Sequence, residues 1–542
     1  MSLPKWTISL NRNGVLIGLL FLGLIGAGTM IYATRWGPSA YGDSVGYIEV
    51  AHNLMVGKGP VQIKGSGGIM LLTTRPPFYS MVLALFSLTG QPLIDSARYL
   101  DVILFALFVA GLGLAVDGLL HQPLLSIAIS LFLLVSPTMV SNFASAMSEP
   151  LFYVLGFAGL LLLVYYLQTG RQYLLWISAG LTGLGFITRF TGVTFIGTGC
   201  LILLFFPGKT LSQRIKESLS YGLAGLVPFL LWLIYLRVMG TYPGQYLLPS
   251  YPQIIVMLRS CARAFIDIFF GWLPWGGLFA AQYPYHHGLI FFIIALAVLV
   301  GLAVTFSRLD SKSLSQSTQK PSLQLGVTFG VFILVYSLFL ILTYLIVLNP
   351  KPRLDERMLS PLLIASLLGG SGFLSFVLDS IKGPDARRFV IPAILLVFIV
   401  AYTPLTYQYV QKMYAVGDGY TSRAWHESGV IPALKTLPSN VRIISDDINA
   451  IMFFTFRPAS RIPELESHTP EPINQTFGDD QKDVVQRLFH DKQAVLVLFN
   501  QGYWQFDALY GGETQKRLNA FTRGLYPYFK GSDGAIYYYA AP

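Results

Sequence analysis

Charge is what this sequence has least of. Asp, Glu, Lys and Arg together make up 12% of its 542 residues, about half the roughly 25% of an ordinary soluble domain. A soluble particle cannot cover its surface with so few charges, and the mean hydropathy of +0.58 agrees: most of the chain must face lipid. Cysteine is nearly absent too. Cys200 lies in an apolar run and Cys261 in a connecting stretch, which excludes a disulfide framework and a zinc site built from thiolates. Neither GxGxxG nor a Walker-type sequence occurs, so nothing marks a phosphate-cradling nucleotide loop. The net charge of +10 raises the question of nucleic acid. The basic residues are scattered, however, rather than gathered on one face, and in a membrane protein such an excess sits in cytoplasmic loops and sets topology. No nucleic-acid partner is expected.

What the chain has in abundance is long apolar runs. A spanning helix needs about 20 such residues. Gly14–Ala33 is the first, read as an uncleaved anchor with a cytoplasmic N-terminus after Lys5 and Arg12. Others lie near 96–118, 123–140, 150–168, 173–188, 190–206, 218–238, 288–306, 323–348, 357–378 and 388–408, which makes eleven. Pro76–Thr89 is apolar but short and opens with two prolines, so it is read as interfacial or re-entrant. If it does not cross, Arg171, Lys209, Arg214, Lys216, Arg308, Lys312, Lys320, Lys382 and Arg387 all fall in cytoplasmic connections, as the positive-inside tendency wants. The fold class expected is a polytopic α-helical membrane protein of about eleven transmembrane helices with a C-terminal soluble α/β domain.

The tail is a different material. Residues 411–542 carry 13 Lys/Arg and 14 Asp/Glu, a normal and nearly balanced charge. Strand-like runs at Val441–Ile444 and Ala494–Phe499 alternate with helical patterns at Asp483–His490 and Glu513–Arg523, the signature of a small α/β unit. The division expected is therefore a membrane domain over 1–410, with a first outer loop at 35–95 carrying interfacial helices, and an outward-facing domain over 411–542.

Coupled transporters keep ionisable groups inside their spans. Here the middles of the runs are almost free of them; Asp101 and Asp117 lie near span ends. Ionisable residues gather instead at the outer edge: Asp43, Glu49, Arg75, Glu149, Arg189, Arg353, Asp355, Glu356 and Arg357. In the first outer loop Tyr47, Ala51, Leu54 and Met55 recur at helical spacing and Gly57 stops the run. Asp43 at its beginning reads as an N-cap, as a general base at the water–lipid boundary, or as both. Arg75 precedes Pro76-Pro77, placed either to hold a lipid phosphate or simply to snorkel. Glu149-Pro150 is a helix start that the topology puts on the face of Asp43. Arg189 sits at a hairpin tip, where it serves topology or a leaving phosphate. In Arg353–Pro361, Asp355 and Glu356 serve the helix dipole and Arg357 is the member to watch. His286-His287 make a poor metal site, since neighbours point apart. Trp272, Trp275, Tyr283 and Tyr285 suit an aromatic belt better than the sugar-stacking surface they also fit. Asp446-Asp447 suits a strand-end turn with a helix cap.

One span, an outer loop with an acid, a Tyr-x-x-x-Ala-x-x-Leu helix ending in Gly, a basic residue before Pro-Pro, an acid-Pro and a later Arg-x-x-x-Pro follow in that order. The ensemble resembles the GT-C glycosyltransferases, especially the family 39-like branch of protein O-mannosyltransferases and the lipid A aminoarabinose transferase, over roughly the first 410 residues. The resemblance implies an enzyme of the plasma (inner) membrane, N-terminus inside and tail outside, moving a sugar from a polyprenyl-phosphate donor to a glycolipid, glycan or protein acceptor. It implies Asp43 and Glu149 as the catalytic acids and Arg75 at the donor phosphate; beside it, on our own reading, Arg189 and Arg357 are further candidates for the phosphate, and Tyr47 and Tyr79 for the substrate. Many members have paired acids in the first loop and Asp at the second position, where this chain has Asp43-Ser44 and Glu149. No metal ligands are assigned, and a divalent cation is left open. Two rivals share the features: a transporter or flippase of lipid-linked sugars, which moves its substrate without cleaving it, and a non-catalytic assembly subunit.

Overall fold

The computed structural model describes residues 12–63, 69–205, 209–240, 251–273, 320–346, 354–381, 384–462, 494–500, 522 and 525–538. The chain divides into two compact units, Met1–Ala33 with Arg98–Lys412, and Thr34–Ala97 with Met413–Pro542. The expected boundary at 410 falls inside the last helix, which runs to Val416, and residues 34–97, expected as the first outer loop, group with the tail. The cause is local: Ala40 forms a parallel bridge with Gly419, and the helix after it packs on tail residues.

The membrane unit is helical. Among the described residues seven helices are long and apolar enough to cross a bilayer: α1 (Arg12–Ala33), α4 (Leu93–Leu120), α7 (Glu149–Thr169), α10 (Leu211–Val238), α12 (Pro321–Ile346), α13 (Glu356–Ile381) and α14 (Pro384–Val416). An eighth is broken. α5 (Pro123–Val135) and α6 (Pro137–Phe143) meet at 63°, because Pro137 has no amide hydrogen to continue the ladder and Ser136 is extended before it. The Ser136 hydroxyl accepts the Met139 amide, and the Thr406 hydroxyl donates to the Val135 carbonyl at 2.5 Å, so the break leaves that carbonyl satisfied, as lipid demands. Two expected spans are shorter helices, α8 (Gln172–Thr188) and α9 (Val193–Phe205, after a 3₁₀ turn at Phe190–Gly192); the run at 288–306 lies outside the described residues. The stretch around Cys261, expected as a connection, is the helix α11 (Tyr251–Gly271). α8 packs directly on α10: a Cβ at Gly183 would fall 2.5 Å from the Gly225 carbonyl oxygen, the close backbone approach that small residues permit in membranes. Tyr221 bonds Ser178 and Thr182 across the same interface at 3.1 Å each.

The second unit joins the loop that follows α1 to a sheet. The loop holds α2 (Gly42–Met55), the hairpin β1 (Val61–Ile63) and β2 (Ile69–Leu71), and α3 (Phe78–Ser87). At ten residues, α3 is about 15 Å long, half the thickness of a bilayer core. The tail adds α15 (Arg423–His426), α16 (Val430–Lys435), β3 (Arg442–Ser445), α17 (Ile448–Thr455), β4 (Ala459–Arg461), β5 (Ala494–Phe499), β6 (Tyr526–Lys530) and β7 (Gly534–Tyr538). The strands lie in the order β4-β3-β5-β7-β6, parallel across β4, β3 and β5 and antiparallel beyond. Trp425, Leu434, Ile443, Ile451, Val495, Val497 and Ile536 form its core. The helical patterns at Asp483–His490 and Glu513–Arg523 lie outside the described residues, Thr522 excepted.

Candidate active site

In the loop-and-tail unit, α2 opens with Tyr41 as its cap residue, and the Ser44 hydroxyl accepts the Tyr41 amide at 3.1 Å. Asp43 is therefore not the cap. It stands in the first turn, where a carboxylate suits the helix dipole, and its side chain remains 42% exposed. Arg75 comes to it from the loop before α3. A residue before proline avoids the helical region, so Arg75 stays outside the helix. Its Nη2 pairs with the Asp43 carboxylate and its Nη1 donates to the Asp43 carbonyl at 3.2 Å. The guanidinium lies 5.3 Å from the Tyr47 ring centroid, a cation–π distance. Tyr47 packs edge to face on Tyr79 at 5.1 Å, and both rings are buried. Gly46 makes the pairing possible: a Cβ there would sit 2.2 Å from Arg75 Nη1.

Glu49, one turn further, stands out in the sequence only as an ionisable group at the outer edge. It is buried, its carboxylate accepts the Ile63 amide, and burial pushes its pKa up to about 7 against the pull of that bond, of Gln62 and of Arg75. It ties α2 to β1, as does Asn53, whose amide donates to the Val61 carbonyl at 2.8 Å.

In the membrane unit, Glu149 begins α7, Arg189 follows the end of α8, and Arg357 lies in the first turn of α13. The structure brings all three together. Glu149 Oε1 is 2.7 Å from Arg189 Nη1 and 3.2 Å from Arg357 Nε, with only 3% of its side chain exposed. Arg189 is extended because α8 stops at Thr188; its Nη1 also donates to the Ser148 hydroxyl at 3.0 Å. The Ser360 hydroxyl donates to the Arg357 carbonyl at 2.6 Å and meets the Tyr153 hydroxyl, which holds the start of α13. Asp355 accepts the Met358 amide at 2.9 Å, the helix-start role expected of it, and stands 4.0 Å from Arg357 Nε. Arg353 and His286-His287 lie outside the described residues.

Sequence reading set Asp101 near a span end and gave it no role. It is buried in α4 and has no hydrogen-bond partner for either carboxylate oxygen among the described residues. An acid in an apolar span was the available signal. As for the divalent cation, no group of three His, Cys, Asp or Glu able to hold one occurs among the described residues. The carboxylates of Asp43 and Glu149 are engaged by guanidinium groups instead.

No protein-family model matches the chain, and no curated protein matches it by sequence. Solved structures do. The crystal structure of ArnT from Cupriavidus metallidurans bound to undecaprenyl phosphate aligns over 98% of this chain and 99% of its own, with a TM-score of 0.54 and 13% identity. The chain has the ArnT fold. The apo form of that ArnT aligns over 97% and 98%, with a TM-score of 0.50 and 12% identity. The ArnT-like fold accounts for a multi-pass helical body with a soluble C-terminal domain, the architecture that the apolar runs and the normally charged tail predicted.

Proposed function

We propose that this chain is a membrane glycosyltransferase that takes a sugar from a polyprenyl-phosphate donor and passes it to a glycolipid, glycan or protein acceptor at the outer face of the inner membrane. The observation that carries the reading is the Asp43–Arg75 pair: a carboxylate open to solvent yet fixed in direction, in a chain with the fold of a protein solved bound to undecaprenyl phosphate.

Asp43 takes the proton of the acceptor hydroxyl as that oxygen bonds to the anomeric carbon. The carbon–oxygen bond to phosphate breaks, the lipid phosphate leaves with the electron pair, and the configuration inverts. Arg75 orients the base. Within the membrane unit Glu149 holds Arg189 and Arg357 together, and guanidinium groups recognise a lipid phosphate through paired hydrogen bonds. Stabilising charge on the leaving group is the larger share of such catalysis. Purified full-length protein in lipid nanodiscs, given radiolabelled polyprenyl-phosphate sugars and a panel of acceptors, tests the reading. Transfer of label to an acceptor supports it; movement of intact donor between leaflets without bond cleavage overturns it in favour of a flippase.

A further inference from the structure

The tail grips the helix that carries Asp43 at both of its ends. At the entry, the Tyr420 amide donates to the Ala40 carbonyl at 2.9 Å and the Thr421 hydroxyl donates to the Pro38 carbonyl at 2.7 Å. The Tyr41 hydroxyl donates to the Asp418 carboxylate. This junction requires glycine at 419: its φ is +62°, and a Cβ would lie 2.1 Å from the Ala40 carbonyl oxygen.

At the exit, the His52 ring stacks on Phe456, with centroids 4.0 Å apart and 10° between the planes. Phe456 ends α17 with φ +52°, a left-handed position where helices ordinarily place Gly or Asn. A bulky residue persists there only where its surroundings over-determine it. The two grips are one piece. Asp447 accepts the Ala450 amide at 3.0 Å to start α17, and the Tyr420 hydroxyl donates to the same carboxylate at 3.0 Å.

We propose that the C-terminal domain holds α2 in register for the reaction, with Phe456 as a positioning residue acting through His52 on the helix that presents Asp43. This rests on Asp43 being the base, and the experiment separates the two claims. Hydrogen–deuterium exchange is measured on the full chain in nanodiscs, alongside kcat and donor KM. Phe456→Ala is expected to raise amide exchange across 42–55 about tenfold, the worth of one stacked aromatic pair, and to lower kcat by a similar factor with KM unchanged. Exchange of β5 stays at its wild-type value. Phe456→Tyr keeps the stack and behaves as wild type. His52→Leu removes the stack from the other side, leaving the tail's own residues intact, and gives the same result as Phe456→Ala. Unchanged exchange in α2, an equal rise throughout the tail in both variants, or a rise in α2 with kcat unaffected overturns the proposal. If the wild type transfers no sugar at all, the base assignment falls, and exchange in α2 still decides whether the tail holds the helix.

Discussion

A guanidinium beside a carboxylate means different things at different depths, and the two acids of this chain show it. Asp43 is substantially exposed, so its pair with Arg75 adds little stability and much direction. Glu149 is almost wholly buried between Arg189 and Arg357, where removing one partner leaves the others uncompensated. Glu149→Gln is therefore expected to cost on the order of 3 kcal/mol, read as a lowered unfolding midpoint in detergent. A second residue-scale prediction concerns Asp446, which accepts the Phe499 amide with both oxygens and is pushed up to about 7 by burial. A carboxyl whose folded pKa is raised favours the folded state while protonated. Stability of the tail should fall as pH rises from about 4 through about 7, and buried Glu49, raised to about 7, adds to the loss in the same unit. Asp446→Asn should flatten that slope in thermal unfolding followed across pH; a slope as steep as the wild type's contradicts the assignment.

Elements were legible where their pattern is local. The runs at Val441–Ile444 and Ala494–Phe499 appear as β3 and β5, Asp447 caps α17, and the helix after Asp43 runs to Met55. The single span read at 123–140 is two helices, and Pro137 was the local sign of the break. Thr406→Val, which removes the donor to the Val135 carbonyl, is expected to cost about 1–3 kcal/mol of stability for the polar group left unsatisfied. Gly46→Ala separates propensity from geometry. Alanine favours a helix by roughly 0.5–1 kcal/mol over glycine, yet its methyl group would displace Arg75. Transfer should fall while the unfolding midpoint holds or rises; full activity would show that Arg75 does not orient Asp43.

Across the whole molecule, what could not be read was which distant segments meet. Nothing periodic announces that Ala40 pairs with Gly419, or that Glu149 closes on both Arg189 and Arg357. Composition and order along the chain identified a multi-pass body and a soluble tail, because those properties are sums over neighbours. Ion pairs between remote segments depend on packing that no window of sequence contains. Asp101 and Glu49 escaped assignment for the same reason: burial is a property of the fold. The central claim is that a carboxylate at position 43 drives cleavage of a lipid-linked sugar. Single-turnover release of polyprenyl phosphate from a radiolabelled donor, with acceptor present, tests it most directly. Asp43→Asn should slow release roughly 10²–10⁴-fold while the protein remains folded; release at the wild-type rate would contradict the account.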